Sequence, residues 1–198
     1  MRQSEIDEQN DHMVKRQDRF RAAADIVTDA LAEFEEVEAV AVIGSVADPL
    51  WKEVPRFREF RREGIAVWHE CGLLDLAVWV SSRKRLSEMR RAYSRALTAA
   101  YNAGTGPSVP GTEVEIVLIE PETDRYLGHL CHFSECPKEK PACFVPGCGD
   151  PPFNRLYSDF VPRRQMLAFA GESMLYRRGQ GRLMSALDLP PPEEVPDR

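Results

Sequence analysis

The sequence has no long apolar run and no excess of basic charge. Its longest apolar pieces, such as EAVAVIGSVA and LLDLAVWV, fall well short of the ~20 residues that a membrane-spanning helix needs. Its 26 basic and 32 acidic side chains are spread along the chain and give a formal net charge of −6. These absences argue against a membrane partner and against nonspecific binding to nucleic acid as the main activity.

The sequence also shows no targeting segment at its amino terminus, and it contains few cysteines. The amino-terminal residues lack the apolar core that a signal peptide requires, so we expect a cytoplasmic protein. Only five cysteines are present, and four of them lie between residues 131 and 148. In a reducing compartment, such clustering indicates a bound metal rather than disulfides.

Apolar side chains recur at helical spacing in two segments. In residues 13–36 they form one stripe, which consists of Phe20, Ala24, Val27, Leu31 and Phe34. In residues 83–103 the repeating positions are Leu86, Met89, Tyr93, Leu97 and Tyr101. This spacing predicts two amphipathic helices. A third, short surface helix is expected in the charge-rich residues 51–63.

Short β-like runs separate the predicted helices. The clearest are VEAVAVIG at 37–44, LLDLAVWVS at 73–81 and EVEIVLIEP at 113–121, with another run at 65–71. Residues 166–176 add a last strand or a helix. The chain, which is 43% apolar, can bury one good core. These elements predict an α/β (α+β) fold, in which helices flank a small mixed β-sheet.

Composition divides the chain into four parts. We expect a main domain at residues 13–128 and a cysteine-rich module packed on it at 129–153. The module has too few aliphatic residues to form a core of its own. An extension at 154–188 and a disordered, proline-rich tail at 189–198 complete the chain.

An acidic residue, Asp75, interrupts the apolar run LLDLAVWV. A buried, unpaired carboxylate is unfavourable, so Asp75 needs a partner, a metal ion or open water beside it. Strand side chains alternate between two faces, which allows Asp75 and Glu115 to meet if their strands are neighbours. The alternative is that Asp75 stands at a strand end, paired with an arginine.

Two carboxylates beside the turn Gly44-Ser45 suit metal-assisted phosphoryl transfer. Carboxylate oxygens bind Mg²⁺, and the N–H groups and the hydroxyl of the turn can hold a phosphate. Asp75 and Glu115 are therefore candidate catalytic residues and magnesium ligands. Gly44 and Ser45 are candidate nucleotide-binding residues.

The order of these features resembles the nucleotidyltransferase superfamily of the DNA polymerase β type. In that family, an apolar strand ends in Gly-Ser or Gly-Gly, a second strand carries two acids one residue apart, and a further strand carries a third acid. Gly44 and Ser45 match the turn, Asp75 matches the second acid and Glu115 the third. The resemblance covers roughly residues 20–120. It implies Mg²⁺-dependent transfer of a nucleotidyl group from a nucleoside triphosphate to a hydroxyl of an unknown acceptor.

One position departs from the family pattern. Leu73, which cannot bind a metal, stands where the first acid of the pair belongs. His69, Glu70 or Glu113 could substitute for that acid, or the site binds one metal weakly, or it is inactive. The alternative function is therefore a catalytically degenerate nucleotidyltransferase fold that acts as a zinc-containing binding or structural protein.

The cysteine-rich module has the spacing C-x4-C-x6-C-x4-C. Its members are Cys131, Cys136, Cys143 and Cys148. Four thiolates complete a tetrahedral shell around Zn²⁺ and leave no open position, which predicts a structural zinc that orders the module. His129 and His132 could each replace one thiol. Four free or partly oxidised thiols are the alternative.

The zinc prediction has a direct test. We expect elemental analysis of the purified, full-length protein to find about one zinc per chain, because a closed four-ligand shell binds a single ion tightly. Near-zero zinc in protein whose thiols are intact and reduced would contradict the prediction.

Overall fold

The fold is taken from a computed structural model, which describes residues 3–50, 62, 71–130, 167 and 169–190. In these residues the central element is a mixed sheet of six strands with the order β4-β3-β2-β1-β5-β6. The strands are β1 (Val37–Ile43), β2 (Leu74–Val80), β3 (Val114–Ile119), β4 (Tyr126–His129), β5 (Met174–Arg177) and β6 (Gly181–Arg182). Strands β2 and β3 are parallel, and every other adjacent pair is antiparallel.

Two helices, α1 (Gln3–Ala32) and α2 (Leu86–Asn102), pack against each other and against the sheet. Helix α2 connects the parallel strands β2 and β3, a connection that a tight turn cannot make. Both helices were predicted. Helix α1 begins well before the predicted residue 13, and it buries Ile6 near its start. Tyr101 lies in the last turn of α2, within the predicted helix, and its side chain is exposed.

The two faces of the sheet carry separate apolar clusters. On the face toward the helices, alternate strand residues such as Val40, Leu76 and Ile116 pack with side chains of α1 and α2. The opposite face carries a smaller cluster that includes Ala77 and Val117. The candidate carboxylates stand on this second face, so the sheet separates them from the helices.

The three clearest predicted strands are confirmed as β1, β2 and β3. The run at 166–176, which allowed a strand or a helix, ends in strand β5, and β5 pairs with β1 inside the sheet. Strand β4 was not predicted. The expected helix at 51–63, apart from Arg62, and the expected β-like run at 65–71, apart from Cys71, lie outside the described residues.

Leu189 and Pro190 belong to the predicted disordered tail, but the structure places them against helix α1. Leu189 is buried, and the carbonyl oxygens of both residues accept hydrogen bonds from Arg21. The rest of the tail lies outside the described residues. Within the described part of the chain, no helix combines the length and the apolar character that crossing a bilayer requires.

The difference in burial between Leu76 on β2 and Leu73 just before it predicts unequal effects of their substitution on stability. Leu76 is fully buried between β2 and the helices, whereas Leu73 precedes the strand and is 38% exposed. We expect Leu76→Ala to lower the free energy of unfolding by about 3 kcal/mol, because a core cavity forms. Leu73→Ala is the matched control and should change it by about 0.5 kcal/mol or less. Urea titration measures both, and similar losses would contradict this placement of β2.

Candidate functional site

Asp75 and Glu115 are direct neighbours across the parallel pair β2–β3. Each is the second residue of its strand. Leu74 and Leu76, on either side of Asp75, pack in the helix-side cluster, so the Asp75 side chain stands on the opposite face. Glu115 stands on that same face, since its neighbours Val114 and Ile116 also pack toward the helices. The structure therefore brings the two predicted carboxylates together.

The predicted Gly-Ser turn lies beside this pair. Strand β1 ends at Ile43, which pairs with Asp75, and the chain then enters a single 3-10 turn, Gly44–Val46. Gly44 has a φ of +71°, and a Cβ atom built on it would lie 2.7 Å from Oδ2 of Asp75. The backbone angle favours glycine, and an added Cβ atom would require the carboxylate of Asp75 to shift. We call Gly44–Val46 the Gly-Ser turn below.

The electrostatics of the pair are unfavourable for two negative charges. The pKa of Asp75 is raised from 3.8 to about 7, chiefly because burial disfavours the charged carboxylate. The adjacent carboxylate of Glu115 raises this pKa further, and His129 lowers it. A cation bound at the pair would relieve the repulsion and stabilise the ionised form of Asp75.

His129 is a third member of the site, although its place in the sequence predicts only a possible zinc ligand. It is the last residue of β4, where it pairs with Val117, and its side chain is 3% exposed. Its Nε2 contacts Oε2 of Glu115. The contact fixes the orientation of the Glu115 carboxylate. The only sequence signal that His129 is buried was the presence of the apolar residues Leu127 and Leu130 on either side of it.

The structure describes some of the alternatives for the missing first acid. Leu73 lies in a bend before β2, and its side chain is 38% exposed. Glu113 belongs to the short 3-10 turn that precedes β3. Among the ion pairs of the described residues, none joins Asp75 to an arginine. The alternative that an arginine of the insert 51–63 pairs with Asp75 is not tested, because the insert, apart from Arg62, lies outside the described residues. His69 and Glu70 lie outside the described residues.

The oxygen ligands of Asp75 and Glu115 suit a magnesium ion that is shared with a substrate better than a metal held by protein ligands alone. Within the described part of the chain, no group of three or more His, Cys, Asp or Glu side chains is arranged to hold a metal ion. A cage made only of protein ligands is therefore not present there. Mg²⁺, however, is commonly bound by one or two carboxylates together with phosphate oxygens of a substrate. The oxygen ligands of Asp75 and Glu115 fit that arrangement.

The predicted zinc site is not covered by the structure. Cys131, Cys136, Cys143 and Cys148, with His132, lie outside the described residues. The zinc therefore stays a prediction from spacing. The fifth cysteine, Cys71, is described and is buried, as expected for a small apolar residue. Its Sγ donates to the carbonyl oxygen of Ser45 at 3.3 Å.

The contact between Gly44 and Asp75 can be measured by adding a single methyl group. Gly44→Ala introduces a left-handed alanine and a clash with Oδ2 of Asp75, so we expect a loss of about 3 kcal/mol in the free energy of unfolding. Gly104→Ala is the matched control, because Gly104 has a φ of +67° and open space around its Cα. It should lose only the backbone part, about 1–2 kcal/mol. Equal losses in denaturant titrations would contradict the close approach.

Comparison with known proteins assigns no family to this chain. No protein-family model matches it, and no curated protein or solved structure matches it either. The carboxylate pair, the Gly-Ser turn and His129 are consequently interpreted from their own geometry and chemistry.

Proposed function

We propose that this protein binds a nucleoside triphosphate with Mg²⁺ and transfers its nucleotidyl group to a hydroxyl of an acceptor molecule. The observation that carries the proposal is the meeting of Asp75 and Glu115, from separate segments, directly beside Gly44. This combination of paired oxygen ligands and a tight Gly-Ser turn suits phosphoryl chemistry. The acceptor is not identified by these residues.

In this proposal, each residue of the site has one role. Gly44 and Ser45 hold a phosphate through the backbone and the hydroxyl of the turn. Asp75 and Glu115 would hold Mg²⁺, which supplies neutralisation of the triphosphate charge when it is bound. His129 orients Glu115 through its contact with Oε2.

The bond changes are those of nucleotidyl transfer. The acceptor oxygen forms a bond to the α-phosphorus, and the bond from that phosphorus to the departing pyrophosphate breaks. The hydroxyl proton leaves the acceptor oxygen for solvent water, because Asp75 and Glu115 would both be occupied as Mg²⁺ ligands in this proposal.

A second candidate function is supported by the small number of ligands. The described residues supply two adjacent carboxylates, and Leu73 stands where the first acid of the family pattern belongs. A site of this kind can bind a magnesium nucleotide without turning it over. The protein would then be a nucleotide-dependent binding protein with a degenerate nucleotidyltransferase site, and absence of pyrophosphate release despite tight nucleotide binding would favour this reading.

Asp75→Asn tests whether the carboxylate of Asp75 is needed for nucleotide binding or only for the fold. We expect the wild-type protein to be stabilised by about 2.7 kcal/mol at a magnesium nucleotide concentration a hundred times its dissociation constant. The variant should lose this stabilisation, because it lacks the charged ligand. Thermal unfolding with each of the four nucleoside triphosphates and Mg²⁺ or Mn²⁺ measures it.

Without nucleotide, the same substitution should stabilise the protein at pH 8. The folded state holds the Asp75 proton up to a pH of about 7, whereas the unfolded chain releases it near 3.8. The free energy of unfolding therefore falls as the pH rises through this interval, and Asp75→Asn avoids the fall. The gain at pH 8 is on the order of 4 kcal/mol and disappears below about pH 4.

Glu88→Gln is the matched control for both measurements. Glu88 lies on α2, on the other side of the sheet from the pair, and forms an exposed ion pair with Arg85. It should leave the nucleotide-dependent stabilisation unchanged. If no nucleotide stabilises the wild-type protein with either metal, the proposed function is wrong.

A further inference from the structure

Two buried polar side chains of helix α1 lie behind the Gly-Ser turn, and the proposed chemistry does not use them. Gln17 is fully buried, and Arg21 is 2% exposed. Nε2 of Gln17 donates to the carbonyl oxygen of Ser45 at 3.1 Å and to that of Asp48 at 2.8 Å. Nε of Arg21 donates to the carbonyl oxygen of Val46 at 3.2 Å. Three carbonyl groups in and after the turn are thus bound by α1.

These hydrogen bonds fix the turn from the side opposite to the carboxylates. On one side, the turn carbonyls are held by Gln17 and Arg21. On the other side, Gly44 approaches Oδ2 of Asp75 so closely that a methyl group would not fit. The distance between the turn and Asp75 is therefore set by α1 as well as by the pairing of β1 with β2. Small displacements of binding groups reduce activity strongly.

Arg21 also connects the turn to the carboxyl-terminal part of the chain. Its NH1 donates to the carbonyl oxygen of Leu189 at 3.1 Å, and its NH2 donates to that of Pro190 at 3.0 Å. The planar guanidinium presents its donors in a fixed fork, which a lysine cannot reproduce. One side chain therefore bonds the site turn and the end of the described chain at the same time.

The residues just before Leu189 are attached to α1 by a second polar group, Asp25. The backbone N–H of Ala186 donates to Oδ1 of Asp25 at 2.9 Å, and the hydroxyl of Ser185 donates to Oδ2. Ser185 also caps the short 3-10 helix Ala186–Asp188 by accepting a hydrogen bond from the N–H of Leu187. Residues 185–190, which we call the carboxyl-terminal strap, are thus docked on α1 by hydrogen bonds at both ends.

The chemistry of Arg21 indicates that it is kept for more than packing. Burial of a guanidinium is unfavourable, and its hydrogen-bond acceptors here are uncharged carbonyl oxygens. An apolar side chain of similar volume could fill the same space without that cost. A fork of donors, however, can hold two separate backbone segments in one geometry.

We propose that Gln17 and Arg21 are positioning residues, which hold the Gly-Ser turn at its working distance from Asp75, and that Arg21 makes this position depend on the docked carboxyl-terminal strap. The inference rests on the proposed function, because it assigns the turn to nucleotide binding. Loosening the strap should therefore weaken nucleotide binding, although the strap supplies no group to the carboxylate pair.

The first test needs no nucleotide and uses hydrogen exchange of the full-length chain. Ser185→Ala removes the cap and the contact with Asp25. The amides of Ala47 and Asp48, both bonded to the carbonyl oxygen of Gly44, report on the turn. We expect them to exchange about fivefold faster in the variant, measured relative to the core amide of Leu76. Dividing by the core rate removes any general loss of stability.

The control is Thr105→Ala, which removes a side-chain hydrogen bond to the carbonyl oxygen of Ala100 beyond the end of α2. This variant should leave the ratio of turn exchange to core exchange unchanged. If Ser185→Ala also leaves the ratio unchanged, the strap does not hold the turn and the inference is overturned.

The second test measures the affinity for the magnesium complex of ATP or of whichever triphosphate stabilises the wild-type protein most. We expect Ser185→Ala and Arg21→Lys each to raise the dissociation constant about fivefold, and Thr105→Ala to leave it unchanged. Unchanged affinity in Ser185→Ala, with faster exchange of the turn amides, would overturn the positioning role. Failure of the wild-type protein to bind any nucleotide would instead reject the proposed function, and the exchange experiment would still decide whether the strap holds the turn.

Discussion

The close approach of Gly44 to the carboxylate of Asp75 is the constraint on which the rest of the site depends. The backbone at Gly44 is left-handed, and no side chain fits between its Cα and Oδ2 of Asp75. Strand β1 ends just before Gly44, and its last residue, Ile43, pairs with Asp75 of β2. This pairing holds the turn and the carboxylate side by side. Glu115 then joins them from β3, and burial beside it raises the pKa of Asp75 to about 7. Such an arrangement disfavours the folded state at neutral pH, and arrangements of this kind are concentrated at functional sites.

The supports of the site come from three directions. The parallel pairing of β2 and β3 aligns the carboxylates of Asp75 and Glu115. His129 on β4 contacts the carboxylate of Glu115 and fixes its orientation. Helix α1 holds the turn from behind with Gln17 and Arg21. Each polar group of the site is therefore positioned by an element that also contributes to the core.

Much of this arrangement follows from local sequence patterns, and the missing parts have identifiable causes. The alternation of side chains in β2 and β3 was sufficient to predict that Asp75 and Glu115 share a face. Strand β4 was missed because it is short and because the turn before it uses Glu122 and Asp124 at positive φ, where glycine or asparagine is the usual signal. His129 was assigned to the cysteine module because its partner, Glu115, is a neighbour only across the sheet. Gln17 stands at a position of the apolar stripe of α1, four residues after Met13 and three before Phe20, but only the hydrogen bonds of Gln17 and Arg21 reveal what these residues hold.

The parallel pairing of β2 with β3 also has a consequence for how the protein folds. Parallel neighbours cannot form as a hairpin, because α2 must first be placed across the sheet between them. Contacts between distant parts of a chain slow folding, since the entropy of loop closure is lost before the contacts form. The two carboxylates consequently face each other only after the βαβ unit has closed, and their repulsion is absent from earlier, partly folded states. The pair therefore opposes the closure of this βαβ unit and has no effect on the steps that precede it.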